Sequence, residues 1–520
     1  MKQKQSKKPM LSAPARLLYG AGIMPYGILQ QTLYPLALLF AVDAMSLPGW
    51  LTGIALSLGL LTHAVCDPLA RRLSDKSKSV LWGKRHGLYI AGVFAAALAN
   101  ILLWSMPINA APGLKFLWLA VSVIALSMLI SFMQMPYNAL GDELAGDAAE
   151  KKTVHNIKNL FFMVSLAVPL ILMGVLLGDT RDPDRYMGLA LILSGAAVIV
   201  GTLAFFATYP YLPRLRAKAA ALPDAGGEKF SLPRTVKNYF SALKVKDGRA
   251  VLLGYCTSLM SVAFLSGTGI LFLLHTMNIP VYLVALDVGL MFFAAIASQF
   301  FWPRAASRYG KKPAVIAGVV ITLVGILIAC IAFIVCYHLG AVNGLTSNWI
   351  LIPSFVIAGF GIGAVFCIPS GMLADKIPDD SAEKLSGMMN FFYRTGQAAV
   401  ILVSGCLISI FGYNKLGGAD DGLMRGALGW IVILGASIAL GFSVWLFQTY
   451  QKPPRAKQLK IKVKKEIGAK NEECGARGVE RGVKDESENG EGAAEPVQLI
   501  DGQMYLDFER GKDEEEDGSK

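Results

Sequence analysis

The sequence predicts an all-α membrane protein of twelve transmembrane helices in two six-helix halves, with both termini cytoplasmic. Three observations carry that expectation. Apolar residues make up 54% of the chain and charged residues only 17%, against about a quarter charged in soluble domains. Mean hydropathy is +0.50, and the apolar residues fall in blocks near the roughly 20 residues that span a bilayer. Finally, a dense basic loop recurs at the same place in each half.

Residues 1–16 are basic and polar, and read as a cytoplasmic N-terminus. The first apolar run is long and lacks a small-residue cleavage site, so it reads as a retained helix and not a signal peptide. Spans of the first half (17–208) are expected at 17–42, 50–70, 88–106, 116–140, 159–178 and 187–208. Those of the second (250–450) are expected at 250–275, 281–303, 314–337, 349–373, 387–411 and 426–449. Pro25, Pro35, Pro136, Pro169 and Pro369 fall inside spans, where proline marks bends or close packing. Between the halves, 209–249 has the composition of a flexible central loop, with Pro210, Pro213, Pro223, Gly226, Gly227 and Pro233. Part of it, Arg234 to Leu243, has the pattern of an amphipathic surface helix. The tail, 451–520, is basic from Lys452 to Lys470 and acidic from Asp513 to Asp517. Such composition cannot bury a core and reads as disordered. Its basic part either rests on anionic lipid or is simply solvated.

Charge sets the orientation. Loops 71–87, 141–158, 209–249, 304–313 and 374–386 hold nearly all the basic residues, while the opposite loops hold Lys115, Arg181, Arg185, Lys415 and Arg425. This is the positive-inside pattern. It also accounts for the net charge of +12 without nucleic acid as a partner. The basic loop 71–87 after the second span has a counterpart after the eighth, Arg304 to Pro313. Matching loops point to parallel repeats related by an axis along the membrane normal. The seven cysteines lie mostly inside apolar runs without metal-ligand spacing, and read as packing residues.

Polar residues inside spans are the candidates for function. His63 and Asp67 are spaced i, i+4 and share a helix face. Ionisable groups in membrane spans are costly and mark function by default, and histidine titrates near neutrality. The alternative makes Asp67 a helix-end acid and His63 a packing residue. Arg394 lies with Asn390, Tyr393 and Gln397 on one face, facing a cavity or snorkelling to an interface. Tyr26, Gln30, Gln31, Gln134 and Asn138 either line a substrate cavity or join helices by hydrogen bonds. Asp287 and His275 are further candidates. No GxSxG, Walker or HExxH pattern occurs, so neither an enzyme nor a bound cofactor is expected.

Three stretches carry a family resemblance. Asp67-Pro68, followed by Ser74-Asp75-Lys76-Ser77-Lys78-Ser79 and Trp82-Gly83-Lys84-Arg85, is similar to the helix 2–3 signature of the glycoside–pentoside–hexuronide:cation symporters. Met135-Pro136-Tyr137-Asn138-Ala139-Leu140 with Glu143-Leu144 and Asp147 resembles that family's helix 4–5 junction. Pro369-Ser370-Gly371-Met372-Leu373-Ala374-Asp375 resembles its helix 10–11 junction. This is the melibiose permease-like family of the major facilitator superfamily, which includes animal lysolipid symporters. The match covers about 16–450 and leaves out the tail.

The resemblance implies the major facilitator fold and secondary transport by alternating access. It places Asp67 at the second of two cation-site acids, with His63 at the first, and Arg394 at a helix-11 cation. Where the family's sugar carriers have a helix-1 acid, a helix-4 acid, a helix-4 aromatic and a helix-5 arginine, this chain has Gly27, Gln134, Asn138 and Phe161. Sugar specificity is therefore not implied. For Asp75, Lys76, Lys84 and Arg85, with Asp375, the resemblance implies a cytoplasmic charge latch between the halves; the alternative is that they serve only as topology charges. The expected function is symport of a small polar or amphipathic solute, coupled to H⁺ in preference to Na⁺. The alternatives are a lysolipid-type transporter and a non-transporting receptor or scaffold. Asp67 and Arg394 are expected to pair across the cavity, directly or through water, in at least one access state. A monomer in the plasma or inner membrane is expected, with the solute and the bilayer as partners.

Overall fold

The structure is a computed structural model and describes residues 11–76, 82–146, 148–221, 231–244, 246–338, 344–375, 382–411 and 421–450. The tail, 451–520, lies outside the described residues. All regular structure among the described residues is helical. A membrane forces that outcome, because lipid offers no partners and a helix pairs its backbone groups within the segment. Eleven helices among the described residues are long and apolar enough to cross a bilayer.

The first segment is the exception, because it is broken. It comprises α1 (Ala13–Ala21), α2 (Met24–Gln31), a π-helical turn at Thr32–Leu36, α3 (Ala37–Leu39) and a second π-helical turn at Phe40–Ala44. Ser12 caps α1 by accepting from the Ala15 N–H. Pro25 stands in the first turn of α2 and Pro35 inside the first π turn, where its missing N–H disrupts the regular ladder. Next come α4 (Gly49–Lys76), α5 (Gly83–Trp104), α6 (Pro112–Leu144), α7 (Ala148–Leu176) and α8 (Pro183–Thr208). The central region contributes two short helices, α9 (Leu212–Ala221) and α10 (Leu232–Ser241). The second half is α11 (Lys246–Leu271), α12 (Val281–Tyr309), α13 (Lys311–Phe333), α14 (Gly344–Ala374), α15 (Ala382–Ile410) and α16 (Asp421–Thr449).

Several helices outrun their predicted spans. α4 continues to Lys76 and α7 starts at Ala148, where a loop to 158 was expected. Charged ends of long helices read as loop in a hydropathy pattern, yet no break interrupts the helix. The extension of α7 matters, because it carries Lys151, Lys152, His155 and Lys158. α10 covers most of the stretch expected as an amphipathic surface helix, and its Tyr239 and Phe240 rings pack tilted and edge-on against Phe391 and Phe392 of α15.

The halves meet along two seams, α4 against α15 and α7 against α12. The parallel repeat relates the second span to the eighth and the fifth to the eleventh, so these seams are equivalent. Both are tight because glycine lets the backbones approach. A Cβ on Gly49 would lie 2.7 Å from the Gly405 carbonyl oxygen, and one on Gly53 3.1 Å from the Gly405 Cα. At the other seam Gly174 packs on Ala285 and Tyr282. All these residues lie at the end opposite the basic loops. Toward the basic-loop end the halves part around a cavity.

Candidate functional site

The cavity has a volume of about 840 Å³ and draws residues from both halves. Its lining includes Tyr26, Gln30, Gln31, Gln134 and Asn138 from one half and Asn390, Tyr393, Arg394 and Gln397 from the other. The face of α15 therefore turns to the cavity, and Arg394 is not at a lipid interface.

Arg394 is only 3% exposed. Its Nη2 donates to the Tyr26 hydroxyl at 2.5 Å and to Gln30 Oε1 at 2.9 Å, and its Nη1 to Gln397 Oε1 at 3.2 Å. The Tyr393 ring lies 5.2 Å from the guanidinium carbon. Every one of these hydrogen-bond partners is neutral. The guanidinium is well solvated by dipoles, but its charge is not cancelled by contact. Two of the three acceptors, Tyr26 and Gln30, belong to the opposite half.

Asp67 also lines the cavity, nearly buried. Its Oδ1 lies 3.5 Å from His63 Nε2, within ion-pair range but without hydrogen-bond alignment. Among the described residues, Asp67 Oδ1 and both ring nitrogens of His63 have no hydrogen-bond partner. Gln134 lies beside Tyr26 and His63, and its Oε1 is likewise unpartnered. Buried polar atoms left open cost free energy unless a proton, water or ion meets them. His63 is fully buried and does not line the cavity; it backs Asp67, with the Tyr26 ring edge-on 6.3 Å away.

The expected contact between Asp67 and Arg394 is not made in this arrangement. The two charges feel each other electrostatically, but Arg394 spends its donors on Tyr26, Gln30 and Gln397. The latch expected between the halves is also differently wired. Arg85 donates to Asp75 at 2.6 Å, Glu143 at 2.9 Å and Ser74 at 2.8 Å, which ties α4, α5 and α6 of one half together. Asp375 pairs with Lys311 at 2.7 Å inside the other half. The side chains of Lys76 and Lys84 lie outside the described residues. With the cavity mouth between the halves at this end, each cluster is satisfied within its own half.

The sequence reading missed a cationic stripe. Lys151, His155 and Lys158 stand on one face of α7, all lining the cavity. Their spacing of 4 and 3 is that of one helix face, which was the available signal. Lys151 pairs with Asp142 at 3.0 Å. Lys158 is 8% exposed, and its Nζ donates to the neutral Asn138 Oδ1 at 3.1 Å. Counting Arg71, Lys151, Lys152, Lys158 and Arg394 against Asp67 and Asp142, the lining is cationic. Farther along the helices it turns apolar, with Leu170, Leu259, Leu273, Phe292, Leu351 and Val432.

The other candidates fall elsewhere. Asp287 is fully buried beside Asn348, with both carboxyl oxygens unpartnered, and does not line the cavity. His275 meets Asp43 at 2.8 Å, far from Asp67 along the helices.

Residues 18–451 match the family model of MFS/sugar transport proteins. The chain belongs to that family. It is therefore a multi-pass integral membrane protein of a transporter family and not an enzyme. Among relatives, it is 23% identical over 206 residues to the inner membrane symporter YicJ of Escherichia coli, which spans 39% of this chain and 44% of that relative. It is 20% identical over 518 residues to the mouse sodium-dependent lysophosphatidylcholine symporter 1, covering 92% of each. The nucleoside transporter NupG shares the fold with a TM-score of 0.59 at 15% identity, covering 84% of this chain and all of that one.

Proposed function

We propose that this protein is a secondary transporter that moves an amphipathic solute bearing an acidic group, by alternating access of the cavity between its halves. The observation that carries the solute class is the polarity of the cavity, cationic toward the basic loops and apolar beyond. The buried ammonium of Lys158 has a neutral amide as its hydrogen-bond partner, and the carboxylate that acts on it, Asp142, is already paired with Lys151, so an acidic group of the solute would offset a charge only partly compensated by the protein. The lost sugar-contact residues and the full-length similarity to a lysophosphatidylcholine symporter support the same class. A small polar acid without an apolar chain would use only the cationic end.

In this reading the first segment, 13–44, is the twelfth span, and both termini are cytoplasmic with the basic loops. The halves are 17–208 and 250–450, joined by 209–249, and the chain works as a monomer in the plasma or inner membrane. Transport is coupled to H⁺ through Asp67, whose open oxygen beside unpartnered His63 accommodates a proton. A Na⁺ site wants several oxygen ligands, and imidazole takes the place of one.

Ligand-induced thermal stabilisation of the purified protein tests the solute class, because a ligand that prefers the folded state raises its apparent stability. Lysophospholipids and long-chain acids should stabilise it, and neutral glycosides should not. Stabilisation by neutral glycosides alone would refute the class. Accumulation of the stabilising ligand in proteoliposomes against its gradient separates a transporter from a receptor.

A further inference from the structure

Two short stretches of the chain repeat each other. Phe40-Ala-Val-Asp43-Ala-Met45-Ser-Leu-Pro48 ends the first segment, and Phe272-Leu-Leu-His275-Thr-Met277-Asn-Ile-Pro280 follows α11. Phenylalanine, methionine and proline coincide at the same spacing, and the backbone coincides with them. Phe40–Ala44 and Phe272–Thr276 are both single π-helical turns. The Met45 N–H donates to the Phe40 carbonyl at 3.0 Å, and the Met277 N–H to that of Phe272 at 3.1 Å. The Leu47 N–H donates to Ala41 at 2.8 Å, and the Ile279 N–H to Leu273 at 3.0 Å. Ser46 and Asn278 follow with φ of 51° and 52°, the two non-glycine residues among those described with positive φ. Positive φ is uncommon outside glycine, though asparagine adopts it more readily than most, and its recurrence at matching positions, with the shared π turns and hydrogen bonds, identifies one motif used twice.

The fourth residue of the motif differs between copies, Asp43 in one and His275 in the other. These repeat-equivalent residues touch across the halves. His275 Nε2–H donates to Asp43 Oδ2 at 2.8 Å. The Thr180 hydroxyl donates to the same oxygen at 2.9 Å, and Tyr186 donates to the Thr180 carbonyl at 3.0 Å. The Asp43 side chain is 2% exposed and that of His275 13%. Other charged groups at this end include Lys115, which donates to the Met45 carbonyl at 2.9 Å, Asp179, which acts on Tyr186 with Asp43, and Arg181, Asp182, Asp184 and Arg185 of the same loop and helix start, where Arg185 pairs with Asp182. The pair sits at the same end as the glycine seams, where the halves are closed on each other.

We propose that Asp43 and His275 form a clasp on the axis relating the halves, which keeps the extracytoplasmic side shut and parts when the cavity turns outward. A π turn has a looser ladder than an α-helix, and each copy ends in a positive-φ residue and a proline. The clasp is thus mounted on two irregular, proline-ended turns, one from each half. Opening exposes both groups to water, which replaces the lost hydrogen bond.

The test is access to a cysteine buried beneath the clasp. Leu38 is 1% exposed and lies where a Cβ on Gly267 of the other half would meet it at 3.3 Å. Leu38→Cys in the full-length protein is labelled with a membrane-impermeant maleimide from the extracytoplasmic side, with the protein lacking that substitution as the blank. Asp43→Asn, isosteric and uncharged, and His275→Ala should each speed labelling on the order of tenfold. The exchange Asp43→His with His275→Asp should return it to near the starting rate, because the two positions are equivalent. Thermal unfolding of each variant shows whether it remains folded. Unchanged labelling in folded Asp43→Asn overturns the clasp. So does fast labelling in the folded exchange variant, since loss of packing alone would not be rescued by restoring the pair. Labelling is read without substrate or ion, so it stands or falls apart from the solute class.

Discussion

Replacing Lys158 by methionine should move stability and ligand binding in opposite directions. Lys158 is 8% exposed as a residue, and its ammonium has a neutral acceptor, Asn138, with the Asp142 carboxylate acting on it while paired to Lys151. Methionine preserves most of the stem and removes the charge. A buried ion keeps a desolvation cost of several kcal/mol in proteins, only part of which one neutral hydrogen bond offsets. The ligand-free variant should therefore gain about 1–3 kcal/mol, less what is lost by leaving Asn138 without its donor. For a domain of more than 150 residues each kcal/mol moves Tm by about 2–4 °C. The bound state should lose a hydrogen bond to a charged group, worth about 1.5–3 kcal/mol, or roughly 10- to 150-fold in Kd. The assay is thermal unfolding in detergent, with and without an acidic amphiphile such as a lysophospholipid. The expected result is a higher ligand-free Tm together with a smaller ligand-induced rise. A lower ligand-free Tm with an unchanged ligand-induced rise would refute the argument, and would make Lys158 a structural group paired through the protein.

Two further predictions concern the ion and the seams. Uptake should follow a pH gradient and ignore Na⁺ at fixed pH, and His63→Asp should confer a Na⁺ response by adding an oxygen ligand; isotope flux with each gradient imposed separately decides this. Gly49→Val should drive the α4–α15 seam apart, because its Cβ would sit 2.7 Å from the Gly405 carbonyl oxygen. A cost of about 1–3 kcal/mol is expected, read as a lower Tm or as faster labelling of Leu38→Cys; neither change would mean the seam yields without strain.

How far the sequence alone reached depends on what kind of signal each element leaves. Hydropathy located eleven of the expected spans, because lipid demands about 20 apolar residues whatever the packing; the first expected span is a broken segment instead. Asp67, Arg394 and the uncharged polar residues stood out because polarity inside an apolar run is rare, and they line the cavity, whereas His63, Asp287 and His275, flagged on the same ground, do not. The cationic stripe of α7 was lost for the converse reason. Lys151, His155 and Lys158 sit where a helix emerges from lipid, and there charge looks the same on a loop as on a cavity wall. Partners of charged groups were the least legible. Arg85 matched a latch motif, but the motif says nothing of whether its partner is Glu143 of its own half, as found here, or a residue of the other. The Asp43–His275 contact joins residues 232 apart; only the repeat of Phe, Met and Pro around them could have linked the two positions.

One helical segment reaches both the polar centre of the cavity and the closed end. α2 supplies Tyr26 and Gln30, which hold Arg394 of the other half. The Tyr26 ring stands edge-on to His63, and His63 lies within 3.5 Å of Asp67. A change of charge on Asp67 therefore acts on the hydrogen bonds between the halves without touching Arg394 directly. With Asp67 ionised, the guanidinium is drawn toward a full negative charge. With Asp67 protonated, neutral dipoles are all it has, and Tyr26 and Gln30 hold it unopposed. The same first segment continues through two π turns to Asp43, at the closed end. Its breaks at Gly22, Pro25, Pro35 and the π turns make it a poor rigid rod, but leave it irregular at several points between Tyr26 and the seam. An unbroken helix would satisfy the bilayer equally well. The breaks are what allow one segment to grip Arg394 in mid-cavity and close the opposite end in the same arrangement.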